Sequence, residues 1–586
     1  MGKWDKLLKK NSDGTKTCVL CRKKFNEQKQ GNTNVFLRHF KNDHNEEYRK
    51  IQNCSLKTTE TEEPAAKKSQ PQIDHCFSAY ADNGPKTVQT QRALTQLIAS
   101  AALPLSLVEH AGFRNFMKIV APRFMIKSRS QLTRMELPKL YEEYQEKLKN
   151  SLSDVQDVAI SFDCWTDSAR KHEYLALIVH FVENEQIVYR VLNVLDVSDK
   201  SHTGEYLADK MKKAIDFFEI QGKIRACVRD GASNARCASN KISEVNFDCL
   251  AHKLNLAAKC GTDGFAGLES VLTKLKKSSK AIRVSSNLRR EWEAIFDQLD
   301  SPTLLLKKHI DTRWTSLYEV LKRAVSVREQ LELFFVDHDD LEPITDAEWK
   351  TCSLVIDLLQ PLMDALKLVQ AKDFTCSSII PLCKVILADL DVIKKNVSAK
   401  NKIIEKLSVE LEKFESLDYL NFATILDVRF KGCFVNAYWK DQLLNSMLET
   451  IEEEKDGPQS ETEASTSSEK SDPFARFMNS SSEKAKIIPS DKKAVVVGEH
   501  DRWLSEPPDI NTSPIKFWSQ KTNQYAFPTL FMLQKAYFCT PASSVETERL
   551  FSTARTILTD NRKCLSAENF SALLFLQRNL PLMGFE

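Results

Sequence analysis

Two cysteines and two histidines near the start of the chain have the spacing of a zinc site. Cys18 and Cys21 are separated by two residues, and His39 and His44 follow with four residues between them. A CxxC turn offers two thiolates, and histidines about one helical turn apart offer two imidazoles on one face, which suits tetrahedral Zn²⁺. A chance CxxC beside two solvent-facing histidines is the alternative. The complete set favours structural zinc, which would supply much of the stability of so small a module.

Two aspartates follow segments with the alternating pattern of β-strands. Asp163 follows VAISF, and Asp230 follows IRACVR. A carboxylate at a strand end can be a turn former, or it can share a divalent cation with other acids. A pair of Mg²⁺ ions held in this way can activate a nucleophile and stabilise the leaving oxygen in phosphodiester cleavage or transfer. These two acids alone leave both interpretations open.

The elements that must position these residues follow from changes of periodicity along the chain. Apolar residues recur every three to four positions over 91–150, and a period of two follows in VAISFDCW, EYLALIVHFVEN and QIVYRVLNVLDV. A helix over 204–219 and the strand IRACVRD come next, and the pattern is then helical for about 200 residues. Three antiparallel strands, a helix and a fourth strand resemble the opening of an RNase H-like fold, in which Asp163 and Asp230 would be neighbours.

Composition sets broad limits on function. With 586 residues the chain is too long for one core, and its 15 cysteines are scattered, which is typical of reduced thiols inside a cell. No apolar run approaches the ~20 residues of a membrane helix, and MGKWDKLLKK lacks the apolar core of a secretory signal. We therefore expect an intracellular protein with no membrane partner and no small-molecule substrate.

Positive charge is concentrated at one end of the chain. Residues 1–50 contain 13 Lys and Arg against 6 Asp and Glu, although the whole chain carries only +3. Such asymmetry favours a polyanionic partner. Polar stretches without periodicity predict a linker over 51–90 and a disordered loop over about 452–500.

The first 50 residues resemble the BED-type zinc finger. Trp4 precedes the cysteines, and NVFLRHFKNDH carries the two histidines on a basic helix. The resemblance implies that this helix, predicted over 34–44, enters a groove of double-stranded DNA, with Arg38 and Lys41 contacting phosphates or bases. A solvated basic face is the alternative.

The end of the chain resembles the signature of the hAT superfamily transposases. PASSVETERLFSTARTILTDNRKCL, at 541–565, contains the SSxxxERxFS core of that family. Other blocks similar to family motifs come in the expected order: FDCWTD, RDGASNA, CLAHKLNLAAK, DTRWTSLYE, ILDVRFK and SPIKFWS. The chain departs from the usual pattern at Val428, where proline is common, and at Phe517, which replaces a tryptophan.

This resemblance implies a catalytic triad of Asp163, Asp230 and Glu548 that binds Mg²⁺. Glu546 is a rival for the third acid, but the register of the ERxFS motif favours Glu548. The same resemblance places a tryptophan beside the site to stabilise a flipped-out base, and Trp314 matches it.

Four further residues are assigned to the site on the same grounds. Arg313 precedes Trp314 and is expected to contact DNA with it, and Trp165 is expected to do similar work beside the first acid. Core packing is the alternative for both tryptophans. Cys249 and His252 form the CxxH element and are expected to support the active site, with a purely structural role as the alternative.

The resulting architecture is a multidomain α+β protein with an N-terminal zinc finger and an RNase H-like mixed-sheet core interrupted by a large all-helical insertion. The predicted boundaries are a finger at 1–50, a linker at 51–90, a small helical domain at 91–150, the first part of the core at 151–262, the insertion at 263–510, and the rest of the core with the dimerisation region at 511–586. We expect a nuclear, DNA-binding homodimer or higher homo-oligomer with structural Zn²⁺ and catalytic Mg²⁺. The alternatives are a domesticated transposase that regulates transcription or chromatin without catalysis, and a protein that acts chiefly through protein partners.

Overall fold

The computed structural model describes two compact units, Met1–Ser78 and Ala79–Glu586. The described residues are 7–26, 34–44, 46–47, 79–167, 171–310, 314–338, 340–371, 373–395, 397–453, 492–558 and 565–585. Trp4, Arg313, most of the predicted linker and most of the predicted disordered loop lie outside these residues.

The first unit contains a small antiparallel sheet and one helix. Strands β1 (Leu8–Lys10), β2 (Thr15–Cys18) and β3 (Lys24–Asn26) pair in the order β1-β2-β3, and α1 spans Asn34–Asp43. The turn between β1 and β2 contains Gly14 at φ +81°, a conformation that glycine adopts without steric cost. The helix agrees with the one predicted over 34–44.

The second unit is built around a five-stranded mixed sheet. Its strands are β4 (Val158–Asp167), β5 (His172–Glu183), β6 (Gln186–Asp196), β7 (Ile224–Arg229) and β8 (Asn246–Asp248), in the order β6-β5-β4-β7-β8. Strands β4, β5 and β6 are antiparallel neighbours, whereas β7 and β8 add in parallel. The first four strands agree with the sequence prediction. Strand β8 was not predicted, because three residues are too few to show a period of two.

The helices of the second unit surround this sheet and form a separate layer beside it. In chain order they are α2 (Pro85–Ser100), α3 (Ala111–Val120), α4 (Leu137–Ser153), α5 (Gly204–Phe217), α6 (Ser233–Asn240), α7 (Leu250–Thr262), α8 (Leu268–Val284), α9 (Ser286–Gln298), α10 (Trp314–Ser326), α11 (Arg328–Val336), α12 (Asp346–Val369), α13 (Ile379–Val392), α14 (Val397–Glu415), α15 (Asp418–Leu426), α16 (Ala437–Glu453), α17 (Lys492–Ser505), α18 (Pro514–Ser519), α19 (Lys521–Ala526), α20 (Pro528–Gln534), α21 (Val545–Ile557) and α22 (Ala567–Met583). None of the described helices is both long enough and apolar enough to span a bilayer.

Buried side chains form three hydrophobic clusters in this unit. One joins the sheet to α2, α4, α5, α21 and α22, so the end of the chain returns to the sheet. A second fills the helical layer from α7 to α15. A third joins α15 and α16 to α17, α18 and α20 through Trp503 and Trp518. This third cluster crosses the boundary predicted at 510/511, because residues on both sides of that boundary bury their apolar side chains together.

Two element boundaries also differ from the prediction. Helix α2 begins at Pro85, inside the predicted linker, where proline in the first turn needs no hydrogen bond from its nitrogen. Helix α17 begins at Lys492, inside the predicted disordered loop. Val496, His500 and Trp503 are buried at helical spacing, so this stretch has the apolar face that a stable helix requires.

Candidate metal and nucleic-acid site

The four predicted zinc ligands of the first unit lie together. The ligand atoms of Cys18, Cys21, His39 and His44 are all within 4.8 Å of one another. Cys18 ends β2, Cys21 follows in the turn, and both histidines come from α1 or its end. The Sγ of Cys21 is 3.4 Å from Nε2 of His39. This Cys2His2 set has the composition and compactness that a tetrahedral metal ion requires.

One ring nitrogen of each histidine in the finger, Nε2 of His39 and Nε2 of His44, is available to bind a metal. The Nδ1 of His39 is 2.7 Å from a carboxylate oxygen of Asp43, which fixes the ring and directs Nε2 towards the thiols. The Nε2 of His44 is buried and has no hydrogen-bond partner. A buried nitrogen of this kind costs free energy unless an ion binds it, so the residues fit a bound zinc ion. Arg38 and Lys41 are exposed on α1.

In the second unit, the first two predicted acids belong to neighbouring parallel strands: Asp163 lies within β4, which continues to Asp167 and so does not end where the sequence suggested, and Asp230 directly follows β7. Ser161 of β4 lies opposite Val228 of β7 in the register. Asp163 and Asp230 each come two residues later, so both carboxylates leave the sheet at the same edge. The Oδ1 of Asp163 accepts a hydrogen bond from the backbone nitrogen of Cys164 at 2.8 Å. Asp230 accepts one from the nitrogen of Ala232 at 3.2 Å, which turns the chain into α6.

Glu548 approaches the same edge from the far end of the sequence. It lies in the first turn of α21, a helix whose apolar face packs on β4 and β5. Burial raises the pKa of Asp163 to about 7, and repulsion from the carboxylates of Asp230 and Glu548 contributes to the increase. The three acids are therefore close enough to feel one another's charge. Among the described residues they are less tightly grouped than the ligand set of the finger.

A cleft lies over two of these acids. We call it the acid cleft; it is lined by Asp163, Cys164, Trp165, Ala251, His252, Asn255, Trp314, Thr315, Leu366, Gln370, Val545, Glu548, Arg549, Phe551, Ser552 and Arg555. Sheet, α7, α10, α12 and α21 all contribute to it. It is open to solvent on one side and has the polar lining expected for a charged substrate.

The two tryptophans of the cleft differ in their surroundings. Trp165 is half-buried and stacks on Tyr174 and on Phe551, with ring centroids 6.1 and 5.9 Å apart. Trp314 begins α10 and is only 4% exposed, within the core of the helical layer. Both rings border the cleft, but both also have packing partners. A base could stack on Trp314 only if that ring became more exposed.

Cys249 and His252 occupy the junction between the acids. The backbone nitrogen of Cys249 donates to the carbonyl of Arg229, the residue before Asp230, at 2.7 Å. Its Sγ accepts a hydrogen bond from the nitrogen of Ser544, just before α21, at 3.3 Å. Burial raises the pKa of the Cys249 thiol, which favours the neutral form. Cys249 thus ties the strand of the second acid to the helix of the third, and His252 lines the cleft.

A group of charges beside the acid cleft, buried except for Arg236, was not predicted from the sequence. We call it the ion cluster; it consists of Arg229, Arg236, Asp248, Lys253 and Glu410. Lys253 lies 2.5 Å from Asp248 and 2.9 Å from Glu410, and all three are less than 10% exposed. Arg229 and Arg236 also pair with Asp248. Lys253, between the apolar residues of CLAHKLNLAAK, was the signal available in the sequence.

Glu546, the rival for the third acid, has different neighbours. It forms an ion pair with Arg549 and lines a separate pocket with Tyr189 and His180. Glu548, by contrast, lines the acid cleft.

Three domain families match the second unit. The ZBED1 RNase-like domain matches residues 161–253, the ZBED1 RNase-like helical domain matches residues 247–358, and the hAT family C-terminal dimerisation region matches residues 499–580. The first match contains Asp163 and Asp230, and the last contains Glu548. The helical match agrees with the predicted insertion into the RNase-like core.

Similar proteins are named as a BED zinc finger protein, a transposase and a transcriptional regulator. Zinc finger BED domain-containing protein 4 of Homo sapiens is 21% identical over 88% of this chain and 45% of its own length. Putative AC transposase of Zea mays is 24% identical over 80% of this chain and 62% of its own length. Putative transcriptional regulator tpeD of Talaromyces stipitatus is 22% identical over 83% of this chain and 62% of its own length. The chain therefore spans about half to three fifths of the length of these relatives.

Proposed function

Because the chain belongs with the hAT transposases and their derivatives, we propose that it binds DNA and cleaves phosphodiester bonds at the acid cleft with the aid of Mg²⁺. Asp163, Asp230 and Glu548 are the acids that would hold the metal. The observation that carries this proposal is their approach from three distant segments to one edge of the sheet, where they repel one another.

Mutual repulsion is the physical reason for a cation at this place. Carboxylates that lie close together repel one another and cost stability unless a cation is shared between them. Oxygen ligands are the ones that Mg²⁺ prefers, and an open cleft leaves room for phosphate oxygens and water. When bound, the metal would activate the attacking oxygen and stabilise the leaving one. The acids as described are looser than a closed coordination sphere, so we expect them to draw together around the ion.

Other parts of the chain would then deliver the DNA. In this proposal the first unit holds Zn²⁺ through its Cys2His2 set and presents Arg38 and Lys41 to double-stranded DNA. The dimerisation region would assemble a homodimer or a higher homo-oligomer, and the protein would work in the nucleus. Trp314 and the neighbouring Arg313 would stabilise a displaced base at the cleft.

A nicking assay separates binding from cleavage. Full-length protein first selects DNA from a random pool, and the selected sequence is then cloned into a supercoiled plasmid. We expect Mg²⁺-dependent nicking by wild type, and nicking at least about 100-fold slower with Asp163→Asn, which removes one charge at constant volume. Glu546→Gln, on the same helix as Glu548, serves as the control and should nick at close to the wild-type rate.

A second function fits the same domains. The relatives named as a transcriptional regulator and as a BED domain protein, together with the loose spacing of the acids, favour a DNA-binding regulator without catalysis. If wild type binds the selected DNA but nicks no faster than Asp163→Asn, this second function replaces the first.

A further inference from the structure

A strongly basic groove lies in the helical layer, outside the acid cleft. It runs between α8 and the extended segment that precedes α10, and we call it the basic groove. Its lining residues are Leu275, Lys276, Ser279, Lys280, Arg283, Val284, Lys307, Lys308, His309 and Val320. None of these described lining residues is acidic.

The cations of the groove are set in place by regular structure. Lys276, Lys280 and Arg283 are exposed and follow an i, i+4, i+7 pattern, which puts them on one face of α8. A solvated helix face would show the same pattern. Here, however, a second basic segment, 307–309, lies against that face and closes the groove.

The extended segment is held by hydrogen bonds to its backbone. Trp292, Arg323 and Arg283 donate to three consecutive carbonyls, those of residues 304–306. The next residues in the chain, Lys307 and Lys308, therefore start from a fixed backbone. Lys307 is paired with Glu319, whereas Lys308 is exposed.

Helix α10 borders both the groove and the acid cleft. Trp314, at the start of this helix, lines the cleft, and Val320 lines the groove. The two residues are about 9 Å apart along the helix axis and on different sides of the helix. A DNA strand that passes across α10 could therefore contact both sites.

We propose that the basic groove binds the phosphate backbone of the same DNA that reaches the acid cleft. This inference rests on the proposed function, because it assumes that DNA reaches the cleft. Lysines dominate the groove, and their point charges suit phosphate contacts that are independent of sequence. A strand that crosses both sites would contact the basic side chains of the groove at one point and the acids with their bound metal at another.

The salt dependence of DNA binding tests this inference without any need for cleavage. The variant is Lys276→Ala/Lys280→Ala/Lys308→Ala, which leaves Arg283 to hold the backbone of the extended segment. The control is Lys350→Ala/Lys394→Ala/Lys395→Ala, three exposed lysines that do not line the groove. Full-length proteins are compared on the selected duplex at several salt concentrations.

Each lost phosphate contact should reduce the slope of log K against log salt concentration by about 0.9. We expect the slope of the groove variant to be smaller in magnitude than that of wild type by about 2 to 3. The slope of the control should equal that of wild type. Ethylation of single phosphates of the selected duplex should interfere with binding by wild type at one or more positions where it does not interfere with binding by the groove variant. An equal slope in wild type and groove variant would overturn the inference, as would an equal loss in the control.

Two outcomes separate this inference from the proposed function. If wild type binds the duplex without nicking it, catalysis is excluded while the slope still tests the groove. If the groove variant keeps its affinity for the duplex but loses affinity for single-stranded RNA of the same sequence, the groove is an RNA site and the DNA assignment is wrong.

Discussion

The acid cleft and the ion cluster lie at the same edge of one sheet, and they treat negative charge in opposite ways. In the ion cluster, Asp248 and Glu410 are buried but paired with Arg229, Arg236 and Lys253. In the acid cleft, burial raises the pKa of Asp163 to about 7, and repulsion from the carboxylates of Asp230 and Glu548 adds to the increase.

This contrast distinguishes structural charge from functional charge. A buried charge destabilises the folded protein little as long as each of its partners is present. Carboxylates left to repel one another reduce stability, so their presence at an open cleft indicates a role that needs an added cation. The two groups are close: a methyl group placed on Gly231, next to Asp230, would lie 3.4 Å from Nζ of Lys253.

Removal of one partner from the ion cluster should have the largest effect on stability. Lys253→Met leaves Asp248 and Glu410 without their shared lysine in a buried position, and we expect a loss of about 3 to 5 kcal/mol. Thermal unfolding of the full chain measures it. In Lys253→Met/Glu410→Gln one of the stranded charges is also removed, so part of the loss should return. A single variant that unfolds at the wild-type temperature would show that the cluster is not buried as described.

Removal of an acid from the cleft should instead increase the stability of the protein. In the absence of divalent metal at pH 8, Asp163→Asn should stabilise the protein by roughly 1 to 3 kcal/mol, because it removes a buried charge and relieves the repulsion from the other two acids. Glu546→Gln, which disrupts an ion pair instead, should not stabilise. Added Mg²⁺ should raise the unfolding temperature of wild type and leave that of Asp163→Asn unchanged.

The raised pKa of Asp163 also determines how the stability of the protein depends on pH. The pKa of Asp163 is higher in the native state than in the unfolded chain, so the native carboxyl holds its proton more tightly. Wild type should therefore lose stability relative to Asp163→Asn as the pH rises from about 4 to 7, with the full difference above 7. A difference that stayed constant from pH 5 to pH 8 would contradict the raised pKa.

A smaller loss of stability than that of Lys253→Met is expected at Cys249, which lies between the ion cluster and the acid cleft. Cys249→Ala removes the sulfur that accepts a hydrogen bond from Ser544 and leaves a buried N–H without a partner, at a cost of about 1 to 3 kcal/mol. It should also weaken metal binding severalfold, because Ser544 precedes the helix of Glu548. Cys249→Ser keeps an acceptor and should retain metal affinity. Equal metal affinity in all three proteins would limit Cys249 to packing.

Local pattern predicted the parts of this site that depend on one strand or one turn. The alternation of VAISFD and IRACVR predicted β4 and β7. Asp230 follows β7 as expected, but β4 continues to Asp167, so Asp163 lies within its strand. The ion cluster could not be predicted, because it depends on β8, a strand of three residues, and on the placement of Glu410 in α14, about 160 positions along the chain from Asp248. Lys253 carries no local sign of its partners.

Tertiary packing also decided where the modules end. Residues 511–540 were assigned to the RNase H-like core on the basis of order in the chain, yet Trp518 packs with Trp503 of α17 in the third cluster. The basic groove also depends on tertiary packing. The lysines of α8 are visible in the sequence, but the segment that lies against them is placed by hydrogen bonds from distant side chains.

The binding of Mn²⁺, measured by electron paramagnetic resonance on the zinc-loaded full-length protein at pH 7.5, tests the central claim most directly. Mn²⁺ prefers the same oxygen ligands as Mg²⁺ and is detected without DNA or turnover. We predict that wild type binds Mn²⁺ and that Asp163→Asn and Glu548→Gln each weaken binding at least about tenfold, while Glu546→Gln binds as wild type. Equal binding by wild type and Asp163→Asn would show that the three acids do not share a metal.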